Sequence, residues 1–289
     1  MATLREIKRR INSVKSTQQI TKAMKMVAAA KLRRAQENIL AARPYAYEIR
    51  HLIHHLTAKI ENPSDALLEQ RPVRRVTLVS VTSDRGLCGG FNGNIIRQTV
   101  HHRATLPDKE VTLVCVGKKS DDFFKRRDYQ ISNQFINFFN NLDLTHAIEI
   151  VDYLVDEFTS GHTDKVQIIY NEFKSAVQQN LIIEDFLPVQ IEKPEEGAMR
   201  NLVDYIYEPS QHALLSALLP KHLRVQMWRI LLESYAAEQG ARMTAMENAT
   251  ENATEMIHDL TLHYNRARQA AITKEISEIV GGAEALKNA

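Results

Sequence analysis

Apolar side chains recur along the first 60 residues at alternating intervals of three and four positions. The series is broken only at Gln18, Thr21 and Lys25. A spacing of 3.5 residues held over this length is typical of a helix that winds left-handedly around a partner helix. Residues 1–62 are therefore predicted to form a coiled-coil helix with the seam Leu4, Ile7, Ile11, Val14, Gln18, Thr21, Lys25, Ala28, Leu32, Ala35, Ile39, Ala42, Ala46, Ile49, Ile53, Leu56 and Ile60.

The end of the chain repeats this spacing and predicts the partner helix. Residues 210–289 form the second helix of an antiparallel coiled coil in this interpretation, and their series carries a polar patch at Gln239 and Arg242. The seam is predicted to contain Leu214, Leu218, Lys221, Val225, Trp228, Leu232, Tyr235, Gln239, Arg242, Met246, Ala249, Ala253, Met256, Leu260, His263, Ala267 and Ala270.

The register of the two helices follows from their polar patches if these lie opposite each other. That alignment places Thr21 opposite Arg242 and brings the start of the second helix to Ser210, a residue type that caps helices well. Residues after about Tyr264 then have no partner within the chain and are expected to project as a single helix.

The periodicity between the two helices changes to short apolar runs that alternate with amphipathic segments. Strands are predicted at residues 76–81, 111–116 and 166–173, helices at 93–103 and 144–158, and further extended segments at 181–191 and 202–207. Strands that alternate with helices indicate a largely parallel sheet. Residues 74–208 are therefore predicted to form a Rossmann-like α/β domain inserted into the coiled coil.

Charge and composition narrow the class of protein. The net charge is only +2, but residues 1–34 are strongly basic, and residues 233–259 of the last helix carry six acidic side chains against one arginine. A basic segment suits an acidic partner, although the missing aromatic side chains and the acidic neighbouring helix argue against nucleic acid. No apolar run approaches the roughly 18–20 residues that cross a bilayer. With only two cysteines and no secretory signal, a cytosolic location is expected.

The glycine-rich turn at residues 86–90 is the main candidate for chemistry. It lies between a strand and a helix, where backbone N–H groups can bind phosphate, but it matches neither established phosphate-loop spacing. A tight turn is the alternative. Arg85 could lower the pKa of the Cys88 thiol, yet no partner residue makes Cys88 a nucleophile. His51 and His54 have metal-ligand spacing, although an exposed helix face explains them better. No catalytic residue, cofactor or metal is expected.

The last segment of the chain predicts a binding surface. Ile272, Ile276, Ile279 and Val280 share one helical face that the predicted register leaves uncovered. An exposed apolar stripe on a projecting helix usually marks a contact with another protein. The alternative is that this helix folds back onto the α/β domain.

Three segments closely resemble the gamma subunit family of the F-type ATP synthase. They are STQQITKAMKMVAA at residues 16–29, SDRGLCGGFN at 83–92 and ITKEISEIVGGA at 272–283. The resemblance covers the whole length and implies a central rotary shaft, which transmits torque between proton flow and ATP synthesis or hydrolysis and has no catalytic site of its own. The implied partners are the alternating hexamer of alpha and beta subunits, the epsilon subunit and the membrane ring of c subunits. The implied location is the cytoplasmic face of the bacterial inner membrane, without insertion into it.

The resemblance also assigns partner contacts residue by residue, at Met24, Arg242, Gln269, Thr273 and Glu275. Further partner contacts are predicted at Lys25 in the basic segment, at Arg85 and Cys88 in the glycine-rich turn, and at Ile272 and Ile276 in the apolar stripe. Gly240 departs from the family, where alanine is expected, and a helix-interior glycine costs about 1 kcal/mol relative to alanine. We therefore expect the helix to be softer at Gly240.

Two other functions remain open from the residues themselves. One is a nucleotide-using enzyme built on residues 74–208, which predicts micromolar nucleotide binding by the isolated chain. The other is a coiled-coil scaffold, which predicts self-association through the C-terminal apolar stripe.

Overall fold

The structure is a computed structural model that describes residues 3–59, 65–176, 178–190, 208 and 210–287. The chain divides into two compact units. One comprises Met1–Val27 with Met243–Ala289, and the other comprises Ala28–Arg242. The predicted fold class, long terminal helices with an inserted α/β domain, is confirmed.

Two long helices, α1 (Leu4–Lys59) and α5 (Gln211–Lys287), contribute to both units. Thr3 and Glu6 form a reciprocal cap at the start of α1, because each backbone N–H donates to the other side chain at 2.9 and 3.3 Å. Ser210 caps α5 by accepting from the Ala213 N–H at 3.2 Å. The helix therefore begins where the sequence predicted.

Within the first unit, the two helices run antiparallel and meet through polar pairs. Hydrogen bonds or ion pairs join Gln18 with Thr254 at 2.7 Å, Thr21 with Thr250 at 2.8 Å, and Lys25 with Glu247. The predicted register is therefore wrong by about two helical turns. The true partners of the first polar patch are Glu247, Thr250 and Thr254, whereas Gln239 is buried in the other unit.

The predicted seam of α1 is confirmed wherever its side chains are described, since each is buried or half-buried. The seam of α5 is only partly right. Lys221, Met256, His263 and Ala270 are exposed, and Ile257 and Tyr264 take half-buried positions instead. Leu260 and Ala267 are half-buried as predicted, so the order of the three- and four-residue steps after Ala253 is the reverse of the predicted one.

The second unit is built around a five-stranded sheet. Its strands are β1 (Arg75–Val81), β2 (Glu110–Val116), β3 (Ile131–Phe135), β4 (Lys165–Phe173) and β5 (Gln179–Leu187). The order is β3-β2-β1-β4-β5, and only β5 is antiparallel to its neighbour. The largely parallel sheet was predicted, whereas β3 was missed. The extended segment predicted at 202–207 lies outside the described residues.

Helices cover both faces of this sheet. The helices are α2 (Phe91–Ala104), α3 (Lys118–Phe124) and α4 (Leu144–Thr159), and short 3-10 turns occupy Ala66–Leu68, Lys125–Arg127 and Phe139–Asn141. The largest buried cluster joins α4 and α5 to β1, β2 and β4, with Ile49 and Ile53 of α1 included. Smaller clusters lie under α2 and α3.

Helix α5 is tied to the sheet by a half-buried ion pair. Glu184 of β5 accepts from Arg229 of α5 at 2.7 Å and also from Gln226 and Tyr170. Burial alone would raise the pKa of Glu184, but the Arg229 charge and these hydrogen bonds outweigh it and lower the pKa. The carboxylate is therefore held ionised between the sheet and the helix.

Candidate partner-binding surfaces

The order of the strands defines where this fold would hold a ligand. The chain passes from β1 to β2 on one side, and later returns to place β4 on the other side of β1. In α/β sheets, ligands bind at this switch point, outside the carboxyl ends of the strands. The glycine-rich loop of residues 82–90 follows β1 and therefore lies at this point.

Helix α5 occupies the switch point with its own side chains. The Arg242 guanidinium donates to the carbonyl oxygens of Gly86 at 3.2 Å and Arg85 at 3.4 Å, and it pairs with Glu238, which is only 4% exposed. The loop thus presents carbonyl oxygens to a cation, whereas a phosphate site needs N–H donors. We call this set of contacts, in which Arg242 binds Glu238 and the carbonyl oxygens of Arg85 and Gly86, the Arg242–Glu238 clamp. It brings together Arg85 and Arg242, two residues predicted as partner contacts.

Burial governs the acid–base state of the clamp. It raises the pKa of Glu238, although Arg242 opposes the shift. It also raises the pKa of the Cys88 thiol, which is 2% exposed, with Arg242 again opposing. Cys88 accepts a hydrogen bond from Asn92 at 3.2 Å. The idea that Arg85 activates this thiol is therefore wrong, because a buried neutral thiol is a packing group.

Asp84 is a structural residue that sequence reasoning missed. Its carboxylate accepts from the backbone N–H groups of Lys118 at 3.0 Å, Asn137 at 2.8 Å and Phe139 at 3.1 Å. It therefore joins the loops that follow β1, β2 and β3. An aspartate directly after a buried strand was the available signal.

Gly240 has a packing explanation. A Cβ at this position would lie 3.2 Å from the carbonyl oxygen of Ala176 and 3.5 Å from the Phe173 ring. Glycine lets α5 approach the connection between β4 and β5 closely. The structure therefore explains the missing side chain by packing, and softness of the helix at Gly240 stays a prediction.

The other predicted contacts lie in the first unit. Met24 is half-buried, and Lys25 is paired with Glu247. Gln269, Thr273 and Glu275 are exposed, as are Ile272 (47%), Ile276 (55%), Ile279 (66%) and Val280 (55%). The end of α5 thus carries an exposed apolar stripe, as the sequence predicted, although the stripe begins on a shifted register.

Metal sites and membrane-spanning helices are both absent from the part of the chain that the structure describes. No three His, Cys, Asp or Glu side chains are placed there to hold a metal ion. His51 is exposed, and the His54 side chain is outside the described set. None of the described helices is both long and apolar enough to cross a bilayer.

Comparisons with known proteins agree with this architecture. The family model described as ATP synthase matches residues 3–286. The ATP synthase gamma chain of Chloroherpeton thalassium is 52% identical over 301 residues, covering 99% of both chains. The gamma chain of Chlorobaculum parvum is 50% identical over 293 residues, covering 99% of this chain and all of that one.

Solved structures share the fold. A chain from the central stalk and c-ring structure of the Tetrahymena thermophila mitochondrial ATP synthase matches with a TM-score of 0.60 and 28% identity, over 80% of this chain and 99% of that one. A chain from the Euglena gracilis mitochondrial enzyme matches with a TM-score of 0.70 and 23% identity, over 98% and 94%. The fold and these likenesses define the class: this is a central-stalk protein of an ATP synthase. More narrowly, the chain belongs to the ATP synthase gamma-chain family.

Proposed function

We propose that this chain is the rotating shaft of an F-type ATP synthase, turning inside an alternating hexamer of alpha and beta subunits. The observation that carries the proposal is the apolar stripe of Ile272, Ile276, Ile279 and Val280, which is exposed at the end of a 77-residue helix. Such a stripe on an isolated helix is unfavourable in water and favourable inside a protein bearing. The similarity to gamma chains over the full length supports this reading.

The remaining predicted contact residues differ in how exposed their side chains are. Gln269, Thr273 and Glu275 are exposed and can meet a partner without rearrangement. Lys25 and Glu247 are each about 40% exposed, so their pair can exchange with a partner's charge at small cost. The Arg242 side chain is only 11% exposed, so its direct contact with a partner would require the Arg242–Glu238 clamp to open.

The shaft has no chemistry of its own in this proposal. It couples distant sites because each orientation offers different contacts to each catalytic subunit, and differential contact is what shifts their affinities. The membrane c-ring and the epsilon subunit are the proposed partners near the α/β unit, at the cytoplasmic face of a bacterial inner membrane. The similar Tetrahymena thermophila chain comes from a central-stalk and c-ring structure, which supports the c-ring as a partner.

The alternative of a nucleotide-using enzyme is weakened by the filled switch point. Arg242 and Glu238 occupy the crevice where a nucleotide would bind, and the loop offers carbonyl oxygens there. Nucleotide binding by the isolated chain at micromolar affinity would instead support the nucleotide-using enzyme.

The bearing role is tested by replacing the apolar stripe with serine, in Ile272→Ser/Ile276→Ser, and by deleting residues from Ile272 onward. Burial of an isoleucine contributes roughly 1.5–3 kcal/mol, so we expect retention of the chain in a reconstituted hexamer to weaken by at least about tenfold. ATP-driven proton pumping should fall with it, while the α/β unit stays folded.

The matched control changes the same helical turns without touching the stripe. Lys274 and Glu278 form an exposed pair at 3.6 Å, so Lys274→Gln/Glu278→Gln should leave retention within about twofold. Equal retention and pumping in all variants would refute the bearing. Stable dimerisation of the isolated wild-type chain that the serine variant abolishes would favour the scaffold reading.

A further inference from the structure

The amino-terminal edge of the sheet carries an excess of exposed positive charge. In the parallel register, Arg75 lies beside Glu110 and Val76 beside Lys165, so the strands β1, β2 and β4 start at one edge. Helix α2 and the turn after α3 end at the same edge. Six exposed or half-exposed cations gather there: Arg74, Arg103, Lys109, Lys125, Arg126 and Arg127.

These six cations are available for an outside partner. The neighbouring Arg75 and Lys165 are already paired, at 3.0 Å with Asp164 and 2.9 Å with Asp185. Among the described residues, no carboxylate oxygen lies within 4.0 Å of any of the six. Three exposed carboxylates, Asp108, Glu110 and Asp128, lie among these six cations on the side of the edge that α2 and α3 cover, so that side has the excess of positive charge. The end of α4 on the other face is acidic, with Asp156 exposed and Glu157 half-buried.

Two of the guanidinium groups are held in place by aromatic rings. The Arg127 guanidinium lies 3.8 Å from the centre of the Phe123 ring and donates to the Phe123 carbonyl at 3.3 Å. The Arg103 guanidinium lies 4.9 Å from the centre of the Tyr129 ring. Stacking orders the side chain and leaves most of its N–H groups free, which lowers the entropy lost when an anion binds.

The start of α5 meets the same amino-terminal edge at its β5 side. Ser216 in the first turns of α5 donates to Asp65 at 2.8 Å, and nearby Leu67 accepts from the Val189 N–H, just beyond the end of β5. The proposed function assigns the stripe near the end of α5 to the hexamer and the α/β unit, which carries this edge, to the membrane side.

We propose that this basic edge binds the phosphate headgroups of anionic phospholipids at the membrane surface. The cations are spread over several elements along an edge, which suits a continuous layer of phosphate better than a single acidic side chain. Half-buried aromatic rings among the cations are also typical of the membrane interface. The inference rests on the proposed function, because it gives the rotor a second contact on the membrane side.

The test uses the reconstituted complex of the hexamer with this chain and epsilon, so that the basic start of α1 is enclosed. Flotation is measured with phosphatidylcholine vesicles that contain or lack phosphatidylglycerol. Each Lys or Arg near an anionic surface contributes a roughly fivefold attraction. Arg103→Gln/Arg126→Gln/Arg127→Gln should therefore weaken binding to the anionic vesicles on the order of 100-fold at low salt.

Two variants separate charge from folding. The replacement of the same three arginines by lysine should keep most of the binding, because headgroup attraction follows charge. Arg97→Gln/Lys118→Gln/Lys174→Gln removes three exposed cations away from this edge and should change binding less than about fivefold. Thermal unfolding of each complex checks that the variants fold.

Each outcome decides the proposal. Selective loss in the edge variant, restored by lysine, supports it. No binding of the wild type to anionic vesicles, or equal binding by the edge and control variants, overturns it. The proposal is also wrong if the edge variant loses attachment to the purified c-ring in detergent while the wild type does not bind the vesicles. That result would assign the edge to an acidic protein partner. Failure of the chain to enter the hexamer at all would refute the proposed function instead.

Discussion

Asp164 shows how a single carboxylate joins two strands of the sheet. It is 4% exposed and accepts from the backbone N–H groups of Arg74 at 3.0 Å and Arg75 at 2.9 Å, and from the Arg75 guanidinium at 3.0 Å. Burial alone would raise its pKa, but the hydrogen bonds and the Arg75 charge outweigh burial and lower the pKa. The ionised form is therefore the one that stabilises the fold.

Replacing this carboxylate should cost stability in a pH-dependent way. Asp164→Asn places an amide N–H₂ where acceptors are needed, and we expect a loss of about 2 kcal/mol at pH 7. Because the folded pKa is lowered, the contribution of Asp164 is complete above its ordinary value of about 3.9 and disappears as the pH falls through the folded value. The difference between the two proteins should therefore shrink below about pH 4.

Urea unfolding at several pH values, followed by the fluorescence of the single tryptophan, Trp228, measures this difference. Asp108→Asn, at an exposed position on the same edge, serves as the control and should change stability by less than about 0.5 kcal/mol. A loss that is constant from pH 7 to pH 3 would contradict the assigned role.

At the scale of elements, the polar pairs of the coiled coil fix its register. A seam made only of apolar residues can slip by one heptad at moderate cost, whereas a slip here separates Gln18 from Thr254 and Thr21 from Thr250. Polar groups at seam positions are a known device for specifying register. The Thr21–Thr250 contact is therefore the defining pair.

Cysteines at this pair should form a disulfide. In Thr21→Cys/Thr250→Cys, the two sulfur atoms replace hydroxyl oxygens that lie 2.8 Å apart, which is close to the S–S bond length of about 2.05 Å. We expect nearly complete oxidation in the isolated chain, seen by peptide mapping without reductant. Cys88 and Cys115 are both buried and should not interfere.

The control pair is Thr21→Cys/Ile257→Cys, one heptad farther along α5. The displacement of about 10 Å along the helix exceeds the reach of a disulfide. Oxidation of this pair in preference to the first would show that the register is shifted.

Elements with a strong period were predictable, whereas their pairing was not. The seam of α1 and the parallel strands followed from spacing alone, because burial on one or both faces leaves a regular pattern. Strand β3 was missed because Ser132, Asn133 and Gln134 interrupt its apolar ends, as is common at a sheet edge. The register failed because polarity does not distinguish the buried Gln239, which packs in the α/β unit, from Thr250, which faces α1.

The clamp at the switch point was equally hidden from the sequence. The resemblance assigns a contact to Arg242 alone, and nothing in the spacing of Arg85 and Arg242 indicates that Arg242 donates to the carbonyl oxygen of Arg85. Contacts between residues so distant in sequence depend on how α5 packs on the sheet. The spacing of apolar residues, which predicts each helix and strand, carries no information on contacts between distant elements.

At the scale of the molecule, the two units differ in how completely their apolar side chains are buried. The largest cluster of the second unit extends from Ile49 to Leu231 and includes fully buried side chains from the sheet, α4 and α5. In the first unit, the described seam positions are mostly half-buried. The second unit should therefore fold by itself.

A fragment of residues 28–242 tests this independence. We expect it to unfold cooperatively, with a thermal midpoint within about 5 °C of the transition that Trp228 reports in the whole chain. A fragment of residues 28–190 lacks the α5 side of the cluster and should lose cooperative melting in circular dichroism. Absence of a cooperative transition in the longer fragment would show that the terminal residues are required for folding.

The two anchors of α5 on the sheet have a mechanical consequence. Arg229 is held by Glu184, and Arg242 is held by the carbonyl oxygens of the loop after β1. These anchors are roughly 20 Å apart along the helix axis. A helix held at two separated points cannot rotate about its own axis relative to the sheet. Helix α5 and the sheet must therefore rotate together as one rigid body. A turning force on helix α5 is therefore transmitted directly to the sheet, and a turning force on the sheet is transmitted directly to the helix.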